Sequence, residues 1–190
     1  RTRALFAGHD LLTAVVDAPS DCQDSDGMSR GFRTSAEHCR DVEAVVGHLK
    51  TLSPVPVWLV GTSRGTESAA NCAIRLQGAV AGLVLTSAIT RGDAKGAAVT
   101  DMDLGAIRAP VLVLAHRDDG CQATPAADVP AILDKLANAR RKEAKILTGG
   151  EPPRSKPCDA LSQHGFLGLE QEAVEAIATF IKVGHSAAGR

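Results

Sequence analysis

The sequence Val57-Trp-Leu-Val-Gly61-Thr-Ser63-Arg-Gly65-Thr66 changes from apolar to glycine-rich within ten residues. It contains the end of the apolar run Val55 to Val60, which predicts a β-strand that is buried on both faces. Residues 64–76 follow directly and have the composition of a helix, so the chain must turn sharply between the two elements. The stretch therefore predicts a strand–turn–helix unit with Ser63 in the turn.

Similar units recur on both sides of this one. The other predicted strands are Leu11–Asp17, Val80–Leu85, Val111–Ala115 and Ala144–Leu147, and the other predicted helices begin at Thr34 or Ser35, at Pro125 and at Gly165. Strands that alternate with amphipathic helices predict an α/β fold, in which helices cover both faces of a mostly parallel sheet in three layers. Residues 1–190 are expected to form one domain, with a short helix or small lid at 90–108.

Composition and charge exclude several classes of protein. The chain has 190 residues, of which 44% are hydrophobic, so it can bury a sizeable core. The net charge is −1 and no basic stripe is present, which disfavours nucleic acid as a partner. No apolar run reaches the roughly 18–20 residues that cross a bilayer, and His9 and Asp10 end the N-terminal apolar run too early for a signal peptide.

The motif Gly-x-Ser-x-Gly at Gly61 to Gly65 is typical of a nucleophile elbow, the sharp strand-to-helix turn that exposes a reactive serine hydroxyl. Glycines on either side of Ser63 are expected to leave room where a Cβ would clash. The following helix N-terminus favours a developing negative charge. An ordinary glycine-rich turn is the alternative that the motif alone leaves open, whereas the G-x-G-x-x-G pattern of nucleotide-binding folds is absent from the sequence.

This motif, and the order of the polar residues after it, resemble the α/β-hydrolase family, which places its triad in the order serine, acid, histidine. The resemblance implies Ser63 as nucleophile and His164, in Leu161-Ser-Gln-His164-Gly-Phe166, as base. It implies Asp119 as the orienting acid, three residues after the strand-end residue His116, with Asp118 as the competing candidate. The backbone N–H of Arg64 is then expected to bind the oxyanion.

The resemblance further implies a serine hydrolase that cleaves a small-molecule ester, thioester or amide through an acyl-enzyme, without a cofactor. Leu11–Asp17 would match the fourth of eight family strands, so three strands and the second oxyanion donor would lie upstream of it. The alternative is therefore a non-catalytic domain, or an inactive fragment with an incomplete oxyanion hole. The motifs also resemble a group of bacterial hydrolases of unassigned substrate, several of them exported, which suggests a periplasmic or secreted location.

The five cysteines are Cys22, Cys39, Cys72, Cys121 and Cys158. If the triad forms, the loops that carry Asp119 and His164 must be neighbours, which predicts a disulfide between Cys121 and Cys158. Cys72 is expected to be a small core residue, and Cys22 and Cys39 could pair. No His/Cys spacing predicts a metal site. The side chain of Arg64 either enters the pocket, where it would favour anionic substrates, or pairs with Glu67 one turn on; the sequence leaves the oligomeric state open.

Overall fold

The computed structural model describes residues 2–25, 27–28 and 31–186, and within them one four-stranded sheet. The strands are β1 (Trp58–Thr62), β2 (Gly82–Thr86), β3 (Val111–His116) and β4 (Lys142–Leu147). They lie in the order β1-β2-β3-β4, and every neighbouring pair is parallel. All four carboxyl ends therefore meet at one edge of the sheet, where folds of this kind assemble their sites.

Helices cover both faces of the sheet and make it the middle of three layers. They are α1 (Arg3–Ala7), α2 (Ala36–Leu52), α3 (Gly65–Leu76), α4 (Val129–Lys135) and α5 (Glu170–Ser186). On one face, apolar side chains of α3 and α4 pack against Leu83, Leu85 and Val113. On the other face, α5 packs against Val84 and Leu112. The helix α2 packs against α3, with Cys39 and Val42 of α2 in contact with the cluster that contains Cys72 of α3. In the described part of the chain, no helix is long and apolar enough to span a membrane.

The two central strands are buried along their whole length, which explains their unbroken apolar sequences. Every residue of β2 and β3 is buried, whereas in β4, at one edge of the sheet, only Leu147 is. Alternate side chains of a strand point to opposite faces, so a strand covered by helices on both sides must be apolar at every position. The predicted α/β fold with a parallel sheet is confirmed.

The segment Leu11–Asp17 was expected to be a buried strand, and that prediction is wrong for the structure described. The segment has no regular secondary structure and pairs with no strand, and Leu12, Val15 and Val16 are exposed. An extended segment gains the hydrogen bonds of a strand only beside another strand edge. Among the described residues none lies there, and a cavity of about 880 Å³ separates this segment from β1, whose Val60 is 44% exposed.

Three further predicted segments, near Ser35, from Pro125 and at residues 90–108, take the following forms. Ser35 begins α2 as expected, accepting a hydrogen bond from the N–H of His38 at 3.1 Å. The helix predicted from Pro125 is shorter, because a 3₁₀ turn at Ala126–Asp128 precedes α4 and Pro130 occupies its first turn. Residues 90–108 form two 3₁₀ turns, at Val99–Asp101 and Leu104–Ala106, whose apolar side chains are part of the core.

A disulfide joins α2 to α3 through Cys39 and Cys72, with their Cα atoms 5.2 Å apart. The expectation that Cys72 is a small core residue is confirmed by its complete burial. The suggested pairing of Cys22 with Cys39 is wrong, because Cys39 is bonded to Cys72. The physical reason is helix packing: both cysteines lie on the buried faces along which the two helices contact each other. The thiol of Cys22 is free, and burial together with nearby acidic side chains raises its pKa.

Candidate active site

Ser63 occupies a strained turn directly after β1. Its φ is +52°, in the left-handed region that residues other than glycine rarely adopt. Its N–H donates to the carbonyl of Thr86 at 3.0 Å, and its own carbonyl accepts from the N–H and the hydroxyl of Thr66 at 2.8 and 2.6 Å. Such a conformation costs about 1–3 kcal/mol and persists only where its surroundings hold it. These contacts hold Ser63 at the carboxyl edge of the sheet, half-buried.

The glycine before Ser63 is required by the close approach of α3 to β1. A Cβ added at Gly61 would lie 2.4 Å from the carbonyl oxygen of Gly65 and 2.9 Å from Cβ of Ala69. The glycine after Ser63 is different, because a Cβ at Gly65 would meet none of the described atoms within 4 Å. The expectation that both glycines avoid a clash is therefore correct for Gly61 and wrong for Gly65. It is the backbone of Gly65 that lies close to Gly61 where α3 approaches β1.

Arg64 stands at the N-terminus of α3 with its side chain turned into an ion-pair network. Its guanidinium contacts Oε1 of Glu67 at 2.9 Å and Oδ1 of Asp93 at 2.5 Å. Burial lowers the pKa of Arg64, but hydrogen bonds to these two carboxylates outweigh burial and raise it. Of the two alternatives for this side chain, pairing with Glu67 is the one observed. In the first turn of α3 the N–H groups of Thr66 and Glu67 already donate to the carbonyls of Ser63 and Arg64. The N–H groups that precede them have no intrahelical acceptor and could bind an anion.

Asp119 and His164 form a buried hydrogen-bonded pair. Nδ1 of His164 lies 3.0 Å from Oδ2 of Asp119, and the two side chains are 4% and 0% exposed. The other carboxylate oxygen of Asp119 accepts the N–H of Cys121 at 2.9 Å. Asp118 lies apart from the imidazole: it is exposed and paired with Arg117 at 3.2 Å, and the hydrogen bond from that guanidinium lowers its pKa.

His164 is held by its backbone while one ring nitrogen stays unoccupied. Its N–H donates to Oγ of Ser162 at 3.2 Å, and its carbonyl accepts from the hydroxyl of Ser87 at 2.8 Å. Nε2 is buried and has no hydrogen-bond partner among the described residues, the hydroxyl of Ser63 included. A buried nitrogen without a partner is uncommon in folded proteins, and it marks the one position on this ring where a proton could be exchanged.

Two features connect the loops that carry the acid and the histidine. Cys121 and Cys158 are joined in a disulfide with their Cα atoms 4.7 Å apart, close beside the Asp119–His164 pair in sequence. The hydroxyl of Thr124, 2% exposed, lies 2.9 Å from Oδ2 of Asp119 and 3.1 Å from Nδ1 of His164. Sequence reasoning missed Thr124, because a threonine five residues after an acid has no distinguishing pattern.

His116, which the sequence left as a residue beside the acid, supports the strand-end turn. Its Nδ1 accepts the N–H of Asp118 at 3.0 Å, so Nε2 carries the proton and donates to the carbonyl of Gly149 at 3.0 Å. Both nitrogens are occupied and the side chain is buried. Within the described ranges no three or more histidine, cysteine or acidic residues are grouped closely enough to hold a metal ion.

Comparison with solved structures identifies the fold. The zinc-bound structure of a novel cold-adapted esterase from an Arctic intertidal metagenomic library superposes with a TM-score of 0.62 at 15% identity, over 94% of this chain and 75% of the other. Est1E from Butyrivibrio proteoclasticus, with ferulic acid bound, gives 0.58 at 16% identity over 78% and 68%. A predicted CIB-like hydrolase from Thermoplasma acidophilum gives 0.56 at 15% identity over 84% and 64%.

These similarities show that the chain has the α/β-hydrolase fold. The chain spans 64% of the length of the Thermoplasma protein, less than two thirds. No protein-family model matches the sequence, and comparison with curated proteins found no match.

Proposed function

We propose that this α/β-hydrolase-fold chain carries the catalytic residues of a serine hydrolase acting on carboxylic esters, with Ser63 as nucleophile, His164 as base and Asp119 as orienting acid. The observation that carries the proposal is the buried hydrogen bond between Asp119 and His164, with an unpartnered Nε2, at the sheet edge where Ser63 directly follows β1. A serine hydroxyl is a weak nucleophile until an adjacent base accepts its proton.

The proposed reaction has two halves. Nε2 of His164 takes the proton of the Ser63 hydroxyl as Oγ attacks the ester carbonyl, and the imidazolium then gives that proton to the departing alcohol. Water attacks the acyl-enzyme in the same way, which releases the acid and restores Ser63. The carboxylate of Asp119 accepts Nδ1–H throughout, so it keeps the imidazole oriented and stabilises its charged form.

The tetrahedral intermediate needs hydrogen-bond donors for its oxyanion. The N–H of Arg64, at the start of α3, is the proposed first donor, since it follows the nucleophile and belongs to a helix N-terminus. No described residue is assigned as the second donor. A missing donor typically lowers kcat by about 10²–10³-fold, so a chain of this form would be slow without being inert.

Ester substrates are proposed over amides because one of the three similar structures, the cold-adapted protein from the Arctic library, is named an esterase. The arrangement of Arg64 also argues against a negatively charged substrate group beside the nucleophile. Its guanidinium is already neutralised by Glu67 and Asp93, so it offers little attraction to an additional anion. We therefore propose neutral esters as the first substrates to try, without assigning the acyl group or the leaving alcohol.

A second candidate function is a non-catalytic domain of the same fold. It is favoured by the outer edge of β1, which pairs with no described strand and lies beside the 880 Å³ cavity. A nucleophile on an edge strand is less firmly supported than one inside a sheet, because the hydrogen bonds on one side of the strand are missing.

Labelling with a fluorophosphonate distinguishes the two candidates. We expect the chain to be labelled, Ser63→Ala to abolish labelling, and Ser68→Ala, a half-buried serine one turn into α3, to leave it intact. Hydrolysis of p-nitrophenyl acetate should follow the same order. Labelling of Ser63→Ala at the level of the unmodified chain would refute the assignment. A folded chain that is neither labelled nor active on the ester would favour the non-catalytic domain.

A further inference from the structure

The outer edge of β4 is uncovered over most of its length. Its residues Lys142, Glu143, Ala144, Lys145 and Ile146 are all exposed, and no described strand lies beyond β4 in the sheet. An edge strand presents a row of unpaired backbone N–H and C=O groups, with which another chain can pair. This part of β4 is therefore open to a further strand.

The hydrogen bonds between β3 and β4 show which backbone groups of β4 point outward. The carbonyl of Leu147, at the end of β4, accepts from the N–H of Arg117 at 2.9 Å, so it faces β3. In a parallel ladder the N–H and C=O of one residue point to the same side, and that side alternates along the strand. The odd-numbered residues of β4 therefore face β3, whereas the backbone groups of Lys142, Ala144 and Ile146 point away from the sheet.

The charges next to Ala144 make this edge complementary to itself. Glu143 precedes Ala144 and Lys145 follows it, and both side chains lie on the same face of the sheet because they are two residues apart. Glu143 is 57% exposed and lies 3.4 Å from Arg141, which directly precedes β4. In an antiparallel pairing of β4 with a second copy, centred on Ala144, each Glu143 would lie opposite a Lys145. Opposite charges directly across a strand pair stabilise it.

Other registers of the same pairing are less favourable. Moving its centre by one residue places Glu143 opposite Glu143, or Lys145 opposite Lys145, and like charges directly opposite each other are destabilising. Charged residues on an edge strand usually discourage pairing, and here they oppose the neighbouring registers while favouring one. In that register the outward N–H and C=O of Ala144 bond those of Ala144 in the second copy, as in a hydrogen-bonded pair of an antiparallel ladder.

Apolar surface beside β4 extends the contact on the face that carries α4. Ile146 is 42% exposed, and with Pro130, Leu133 and Ala144 it lines a hollow of about 320 Å³ beside α4. Directly opposed residues of an antiparallel pair share a face, so the aliphatic part of Lys142 in the second copy would cover Ile146. In each copy the ammonium group of Lys142 donates to the carbonyl of Leu133 at 2.8 Å, so it needs no partner across the pair.

We propose that the outer edge of β4 is the interface of a symmetric dimer, in which β4 pairs antiparallel with β4 of a second copy, centred on Ala144. The two sheets then form one continuous sheet. The interface is isologous, so each contact between Glu143 and Lys145 occurs twice. The dimer is independent of the proposed catalytic function, because Ser63 follows β1, at the opposite end of the strand order.

Charge reversal tests the pairing and its register together. Sedimentation equilibrium of the unmodified chain should show a monomer–dimer equilibrium. Glu143→Lys and Lys145→Glu each place like charges opposite each other at two contacts, so each should raise the Kd of the dimer by roughly 10–100-fold. The double variant Glu143→Lys/Lys145→Glu restores opposite charges and should recover the Kd of the unmodified chain. Lys156→Glu, the same charge change at an exposed residue outside β4, is the control and should leave the Kd unchanged.

Two further measurements do not depend on the folding of the double variant. An equimolar mixture of Glu143→Lys and Lys145→Glu should form a heterodimer, because every opposed pair in it again has opposite charges, although neither variant dimerises well alone. Ala144→Pro removes the central outward N–H, which makes no bond to β3, so the chain should stay folded by circular dichroism and lose the dimer.

Each outcome supports or overturns the proposal. A chain that stays monomeric at every concentration tested overturns it. A dimer whose Kd is the same in the unmodified chain, both charge reversals and Ala144→Pro also overturns it, because its contact would lie elsewhere. A mixture of the two reversals that remains monomeric refutes the register centred on Ala144. Recovery of the dimer in that mixture, with no recovery when either variant is mixed with Lys156→Glu, supports the proposal.

Discussion

Oδ2 of Asp119 lies 3.0 Å from Nδ1 of His164, although the two residues are 45 positions apart in sequence. The acid follows β3, and the histidine lies in a 3₁₀ turn, Gln163–Gly165, shortly before α5. The carbonyl of His164 is bound by the hydroxyl of Ser87, just after β2, so the sheet edge itself positions the pair. Asp119 is therefore buried and bonded to the histidine, whereas its neighbour Asp118 is exposed and paired with Arg117.

Replacing each aspartate in turn tests which one orients the histidine. In Asp119→Asn the amide can donate to Nδ1, which would place the imidazole proton on Nε2 and block the proposed base. We expect kcat for ester hydrolysis to fall by roughly 10³–10⁴-fold. Asp118→Asn is the matched control, and because this exposed side chain pairs with Arg117 at the surface, we expect activity within about twofold of the unmodified chain. The reverse ranking would make Asp118 the acid.

The Cys121–Cys158 disulfide should stabilise the chain under oxidising conditions. It encloses a separation of 37 residues, for which the chain-entropy model gives about 3–4 kcal/mol. Cys158 is exposed, so Cys158→Ser removes the bond with little loss of burial, and Cys22→Ser is the control because Cys22 is free. Urea unfolding measures the difference. A loss below about 1 kcal/mol in Cys158→Ser would mean that the bond contributes little.

Gly61→Ala should destabilise the elbow, and Gly65→Ala should not. The added Cβ at Gly61 would meet the backbone of Gly65, which cannot move without displacing α3. Overpacking of this kind costs about 1–3 kcal/mol. At Gly65 the Cβ has space, and alanine in a helix is favoured over glycine by up to about 1 kcal/mol. Thermal unfolding of the two variants gives the comparison. Equal melting temperatures would contradict the close approach of Gly61 to the backbone of Gly65.

The buried His38 should make the chain less stable in mild acid. Burial first, and the charge of Arg33 second, lower the pKa of His38, with Asp41 opposing them. As pH falls below the ordinary value of about 6.5, the unfolded chain therefore takes up a proton that the folded chain still refuses. The contribution of the neutral His38 to the free energy of unfolding is therefore fully present above about pH 6.5. It is lost progressively as the pH falls towards the lower pKa of His38 in the folded chain.

His38→Leu should remove this loss, so the variant should show a smaller decrease in unfolding free energy between pH 7.5 and 5.5. It should also be more stable throughout, because neither ring nitrogen of His38 has a hydrogen-bond partner among the described residues. His48→Gln, on the exposed side of the same helix, is the control for loss of a histidine. An identical pH dependence in His38→Leu and the unmodified chain would contradict the assignment.

Much of the fold was predictable because its signals are local. The apolar runs at β1, β2 and β3 are found within three residues of their predicted positions. β2 and β3 are covered on both faces, so they must be apolar throughout. Leu11–Asp17 carries the same signal and yet forms no strand in the described structure. An apolar run specifies a tendency to pair, but the strand forms only where a partner edge is adjacent.

The candidate site was predictable where a motif or a chain order marks it. Ser63 is marked by the glycines around it, and His164 by its place before the last helix. The choice between Asp118 and Asp119 rested on a count along the chain, and the contacts of Thr124 had no signal at all. Both depend on which side chain turns inward at the end of β3, a matter of packing between loops far apart in sequence.

The sequence by itself determined where β1 to β4 lie along the chain and the turn at Ser63, because these depend on residues that are close together in sequence. The helices that alternate with these strands then imply a parallel sheet. The tertiary structure alone decided that Cys39 pairs with Cys72, that Arg64 is neutralised by Glu67 and Asp93, and that the hydroxyl of Thr124 lies against the Asp119–His164 pair. Each of these contacts depends on how whole helices, strands and loops pack together. The periodicity of residues along one helix or strand does not show which side chain of another helix, strand or loop it will contact.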